Sequence, residues 1–102
     1  MEEESDMQFM IKALDGEGML ARRMEVRPDH LEGMKRMNSH IIVAGGLLDE
    51  EGKMKGSLLV VEFDDRSEVD EYLANEPYVK ANVWQKIEVE QMNVVILNSR
   101  GE

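Results

Sequence analysis

The stretch "VRPDHLEGMKRM" (26–37) carries one imidazole, His30, in line with Met34 and Met37 on what reads as the buried stripe of a helix. A neutral imidazole near pH 7 can take up a proton and return it. A neighbouring carboxylate would fix its tautomer and stabilise its cation. Two carboxylates stand where the fold could bring them to it: Asp15, where a first strand ends, and Glu76, where a second helix ends. Taken alone, Asp15 reads as a turn residue and Glu76 as a solvated helix end. A lone histidine on an apolar stripe is as compatible with a packed core as with a site. The pattern by itself leaves both readings open.

Other chemistries find less support. There is no cysteine, and the two histidines, His30 and His40, are ten residues apart on different elements. Neither a thiolate set nor a His-x-x-x-His pair is present, so no metal is expected. The glycine stretches "DGEG" (15–18) and "AGG" (44–46) lack the spacing and the lysine of a phosphate loop. Ser39 and Ser57 lack a nucleophile-elbow context. The nine methionines read as adaptable core filler rather than a cofactor box, and no cofactor is expected.

The elements that must position His30 follow from periodicity. "QFMIKAL" (8–14) reads as a strand with apolar residues on both faces, broken by "DGEG". Pro28 suits a first helical position, where its missing N–H costs nothing, so a helix is expected from Pro28 to about Asn38 with Leu31, Met34 and Met37 on its stripe. Gly33, in its middle, suggests a close backbone contact. Strands are expected over 40–48 and 57–63, joined by the polar loop "DEEGKMKG". A second helix fits 64–77: Ser67 and Asp70 have capping-box spacing, Val69, Tyr72 and Leu73 form its stripe, and Pro77 stops it. The last strand, about Trp84 to Leu97, buries odd residues first (Ile87, Val89) and even ones later (Met92, Val94, Ile96). That slip predicts a bulge near Gln91.

The order strand, helix, strand, strand, helix, strand folds most simply into an antiparallel four-stranded sheet with both helices on one face, the ferredoxin-like α+β arrangement βαββαβ. The helices leave one sheet face bare although strands 8–14 and 57–63 are apolar on both. A second copy is the simplest cover, so a homodimer is expected. At 102 residues the chain has room for one domain, placed at 7–97, with an acidic disordered tail at 1–6 and a short tail at 98–102. Acidic residues outnumber basic ones 22 to 12, a net charge of −10. Such a surface repels phosphate backbones and anionic membranes, whereas a small anionic ligand can still meet the local basic spot at Arg22–Arg27 and Lys35–Arg36. No apolar run approaches the roughly 20 residues of a membrane span. With no cysteine and an acidic N-terminus, a cytoplasmic protein is expected.

Several pieces in order resemble the YCII-related family: "ALD" closing the first strand, "RMEVRPDHLEGM", "AGG", "GSLLVVEF" and "EPYVKANVW". The resemblance runs from about Met7 to Ile96. It implies a ferredoxin-like fold paired as a dimeric α+β barrel, and a histidine–aspartate site taken as a sign of enzymatic activity. Carried over, the helix histidine falls on His30 and the aspartate closing the first strand on Asp15. The connecting arginines fall on Arg23 and Arg27, and the glycine before the third strand on Gly56, beside Ser57. The family's Asp-Pro-aromatic step is Glu76-Pro77-Tyr78 here, and its Ala-Gly-Pro is Ala44-Gly45-Gly46. The resemblance favours a pocket-lining His30. Asp15, which keeps the family's residue type and distance, is expected as its partner ahead of Glu76. The function this implies is proton-transfer chemistry of an isomerase, lyase or dehalogenase-like kind. His30 would be the acid/base, with Arg23, Arg27 and Ser57 holding a small anionic substrate. A non-catalytic ligand-binding or regulatory module on the same scaffold is the alternative.

Overall fold

The computed structural model describes residues 6–98, so the expected tails, Asp6 and Asn98 aside, lie outside the described residues. The elements run β1 (Met7–Asp15), α1 (Leu20–Arg36), a 3-10 turn (Asn38–His40), β2 (Ile41–Leu48), β3 (Met54–Phe63), α2 (Arg66–Asn75), α3 (Pro77–Lys80) and β4 (Trp84–Met92). The strands form one sheet in the order β2-β3-β1-β4, every neighbouring pair antiparallel. This is the ferredoxin-like α+β fold. Among the described residues no helix is long and apolar enough to cross a membrane.

Alternation decides which sheet face is buried. Phe9, Ile11 and Ala13 of β1 and Leu59, Val61 and Phe63 of β3 point toward the helices and join Val26, Val69, Tyr78, Val83 and Trp84 in the core. The opposite face carries Met10 and Leu14 of β1, and Leu58 and Val60 of β3, with none of the described helices over it. Beyond β4, Val95, Ile96 and Leu97 are 69–79 % exposed.

Five local expectations need correction. The first helix begins eight residues earlier, at Leu20, and contains Pro28 in its interior. Pro28 lies on the exposed side, above an exposed Met24, so the carbonyl that loses its N–H partner can turn to water. The buried stripe is accordingly Arg23, Val26 and His30, continued by the partly buried Met34 and Met37, while Leu31 is 42 % exposed. A Cβ on Gly33 would meet nothing nearer than Arg36 Nη2 at 3.9 Å, so no close backbone contact explains that glycine.

The capping box of α2 starts two residues before Ser67. Asp65 Oδ1 accepts from the Glu68 backbone N–H at 3.2 Å, and Glu68 Oε1 accepts from Asp64 N–H at 3.1 Å. Ser67 instead donates its hydroxyl to Asp65. As expected, Pro77 ends α2. It also starts α3, with Glu76 between them in the extended conformation that a following proline favours.

The ladder is regular at Gln91, which pairs with Phe9, and β4 stops at Met92 without a bulge there. Val94 to Leu97 lie past the strand, so their change of phase needs no bulge to explain it. The irregularity is at the other end. Leu14 pairs with Lys86 but Asp15 pairs with Trp84, which leaves Gln85 as an extra residue. The insertion turns Trp84 onto the helix side with Ile87 and Val89, where it is 3 % exposed. The Gln85 side chain folds over Gly16, whose missing Cβ leaves it room.

Candidate active site

Glu76 sits at the sharp step between α2 and α3, and its extended backbone swings its carboxylate back toward α1. There Oε1 lies 2.9 Å from His30 Nδ1 and accepts from the Tyr78 backbone N–H at 3.1 Å. Oε2 accepts the Tyr72 hydroxyl proton at 2.6 Å. Three donors thus converge on a carboxylate that is 1 % exposed. Burial pushes the Tyr72 phenol well above its usual value, and the neighbouring Glu76 charge and hydrogen bond add to the rise. Tyr72 therefore remains a donor.

His30 packs against two aromatic rings. Its ring stacks on Tyr78 at 4.2 Å between centroids and 21° between planes, and meets the edge of Trp84 at 5.9 Å. The Arg23 guanidinium lies over the same Tyr78 ring, 4.7 Å from its centroid. Burial raises the Tyr78 phenol, against the opposing pull of Arg23 and Arg27.

Asp15, expected beside His30, is bound to Arg23. The Arg23 Nη1 lies 2.9 and 3.1 Å from its two oxygens, and Nη2 donates to Ser57 Oγ at 2.9 Å. The expected order of partners is thus reversed. Asp15 ends β1 and faces the start of α1, while the α2–α3 step carries Glu76 to the middle of that helix. His40 closes the 3-10 turn before β2, stacked on Phe63 with Nδ1 2.9 Å from the Glu62 carbonyl oxygen.

With Nδ1 held by Glu76, the remaining nitrogen of His30 is Nε2. The ring lines a cavity of about 520 Å³ between α1 and the β2–β3 side of the sheet. Arg23, Arg27, Lys35, Ser57 and Tyr78 share that cavity, whose apolar wall includes Leu31, Met34, Met54 and Leu59. Among the described residues no carboxylate is within ion-pair distance of Arg27 or Lys35, whereas the charge of Arg23 is matched by Asp15. Among the described residues, the positive charge at this cavity without a carboxylate in ion-pair distance is that of Arg27 and Lys35. In the sequence Lys35 reads only as part of a local basic spot, Tyr72 as a helix-stripe residue, Tyr78 as the aromatic of the Glu-Pro-aromatic step and Trp84 as the start of the last strand, and none of them is marked as a site residue. Among the described residues no group of three or more His, Asp and Glu side chains is placed to hold a metal ion.

The sequence profile of the YCII-related domain matches residues 7–93. The chain belongs to the YCII-related family. One solved relative is 5-chloro-2-hydroxyhydroquinone dehydrochlorinase from Burkholderia phenoliruptrix AC1100, in complex with 2,5-dihydroxybenzoquinone. It is 28 % identical, the match covers 85 % of this chain and 94 % of that one, and the TM-score is 0.80. An uncharacterised protein of Haemophilus influenzae is 27 % identical over 97 residues, which span 87 % of this chain and 99 % of the other. A putative antibiotic biosynthesis monooxygenase from Bacteroides thetaiotaomicron, 12 % identical with a TM-score of 0.58 over 96 % of this chain and 97 % of that one, shares the fold alone. The YCII-related chain thus has the architecture of the dimeric α+β barrel type.

Proposed function

We propose that this YCII-related protein is a small homodimeric enzyme in which His30 Nε2 is the general base toward a small anionic organic substrate. The observation that carries the reading is the 2.9 Å contact between His30 Nδ1 and Glu76 Oε1 at the wall of the cavity. As a carboxylate, Glu76 accepts the Nδ1–H and leaves the lone pair of Nε2 free to take a proton. The imidazolium that forms is then stabilised by the charge already beside it. An anionic oxygen of the substrate would face Arg27 and Lys35, while the apolar wall takes the carbon skeleton. In an elimination, the base takes a proton from carbon, that electron pair forms the new double bond, and the leaving group departs with its own pair. In an isomerisation His30 returns the proton to another carbon.

The name of the Burkholderia relative supports the elimination branch and suggests hydroxylated, ring-shaped anions as first candidates. Arg23 and Ser57 border the same space. Arg23 is engaged with Asp15, so it would shape the pocket while Arg27 supplies charge. Dimerisation would cover the bare sheet face, and the absence of cysteine suits the cytoplasm.

The test is a thermal-shift screen of hydroxylated and carboxylated ring compounds, 2,5-dihydroxybenzoquinone included, followed by turnover assays on those that bind. His30→Gln is expected to keep binding and to lose roughly 10²–10⁴-fold in turnover. Turnover unchanged in His30→Gln overturns the base assignment. Saturable binding without turnover of any bound compound or its halogenated analogue favours a non-catalytic module.

A further inference from the structure

The His30–Glu76 contact crosses a partition between two cavities. His30 borders the cavity between α1 and β2–β3, and Glu76 does not. Glu76 borders a second cavity of about 460 Å³, and His30 does not. That second space lies between the last turns of α1 and the exposed end of α2, with Arg36, His40, Glu71 and Asn75 around it, and Tyr72 is part of its wall.

A glutamate carboxylate rotates about a soft, roughly two-fold terminal torsion, so burial alone does not say which oxygen faces the histidine. Oε1 has two partners, His30 Nδ1 and the Tyr78 N–H, both from residues that line the first cavity. Among the described residues Oε2 has one, the hydroxyl of Tyr72, a residue that lines the second. We propose that Tyr72 is a positioning residue for the acid/base pair, gripping Glu76 Oε2 from the rear cavity so that Oε1 stays on His30 Nδ1 and Nε2 stays free. The proposal rests on the reading of His30 as a base at Nε2. With the hydroxyl removed, Oε2 keeps no protein donor at a site that is almost dry, and the carboxylate turns to share the Tyr78 and His30 donors between its oxygens. The imidazole tautomer is then no longer imposed. Tyr72 sits in the last turn of α2, four residues before Glu76, so the grip depends on α2 holding its helix to its end at Asn75.

The test is nuclear magnetic resonance of the ¹⁵N-labelled full chain, at a pH where the His30 ring is neutral. The wild type is expected to show one dominant tautomer, with the proton on Nδ1 and slow exchange of that proton with water. In Tyr72→Phe, which keeps the ring and loses only the hydroxyl, the Nδ1 proton should exchange at least roughly tenfold faster, as expected for one lost hydrogen bond to a charged group. Both ring nitrogens should move toward the tautomer average. In a Glu76→Gln background the same substitution should add almost nothing, because Tyr72 acts through the carboxylate.

Ring shifts and exchange unchanged in a folded Tyr72→Phe overturn the role of Tyr72. So does an effect that persists at full size in the Glu76→Gln background. Should Tyr72→Phe fail to fold, 3-fluorotyrosine placed at position 72 makes the hydroxyl a stronger donor and is expected to slow Nδ1 exchange. No change there overturns the proposal equally. A wild-type ring protonated on Nε2 removes the base assignment together with this one. An Nδ1–H that ignores Tyr72 removes this one alone.

Discussion

Asp15 and Arg23 form a closed pair: one guanidinium nitrogen lies 2.9 and 3.1 Å from the two carboxylate oxygens, and both side chains are at most 5 % exposed. Breaking such a pair leaves an uncompensated buried charge, which costs about 3–5 kcal/mol. Asp15→Asn is therefore expected to lower Tm by more than roughly 10 °C. Arg27→Gln, at a position with no ion pair among the described residues, should change stability by less than about 0.5 kcal/mol. Calorimetry of the two variants checks the contrast, and equal losses would contradict it.

Tyr72 gives a pH signature. Its phenol is raised in the native state by burial and by Glu76, whereas in the unfolded chain it releases its proton near the ordinary value of about 10. Above that pH the unfolded state binds fewer protons than the native one, so stability falls as pH rises. Its contribution is present below pH about 10 and is lost on the way up to the native value, at about 1.4 kcal/mol per pH unit. Urea unfolding between pH 9 and 12 should show a shallower alkaline decline in Tyr72→Phe than in the wild type. Parallel declines would refute the shift.

The bare sheet face should bind a second copy. Met10, Leu14 and Leu58 are partly exposed there around a buried Val60, and Val95, Ile96 and Leu97 stand exposed beyond β4. Light scattering should give twice the chain mass at micromolar concentration. Leu58→Glu should shift the population toward monomer without unfolding it. A wild type that remains monomeric removes the dimer.

Gly56 should resist any side chain. A Cβ there would lie 2.4 Å from the Ala13 carbonyl oxygen, in a backbone that the β1–β3 ladder holds fixed. Gly56→Ala is expected to cost about 2 kcal/mol or more in a chemical unfolding titration. A neutral result would mean that the ladder opens at that point.

Most of the fold was legible because alternation is a long-range constraint. Strands apolar on both faces, two helical stripes and their order along the chain leave few topologies. The start of α1 was hidden because Pro28 looks like a first helical residue, and only the exposure of its side of the helix shows why it is tolerated mid-helix. The partner of His30 was hidden for a different reason. Distance along the chain says nothing of the step at Glu76–Pro77, where one extended residue between two helices throws a carboxylate across to α1. The position of the bulge also escaped, since the change of phase at 92–96 lies past the end of the strand, whereas the inserted residue is Gln85.

Two thioethers line the first cavity, Met34 from the helix and Met54 from the sheet, where Gly46 gives the latter room against the backbone. Unbranched and polarisable, such side chains re-pack around whatever enters. Their wall sorts molecules by polarity and hardly at all by outline. Discrimination among occupants of similar size thus falls to the groups that cannot move: the imidazole clamped between Glu76 and Tyr78, and the guanidinium locked on Asp15.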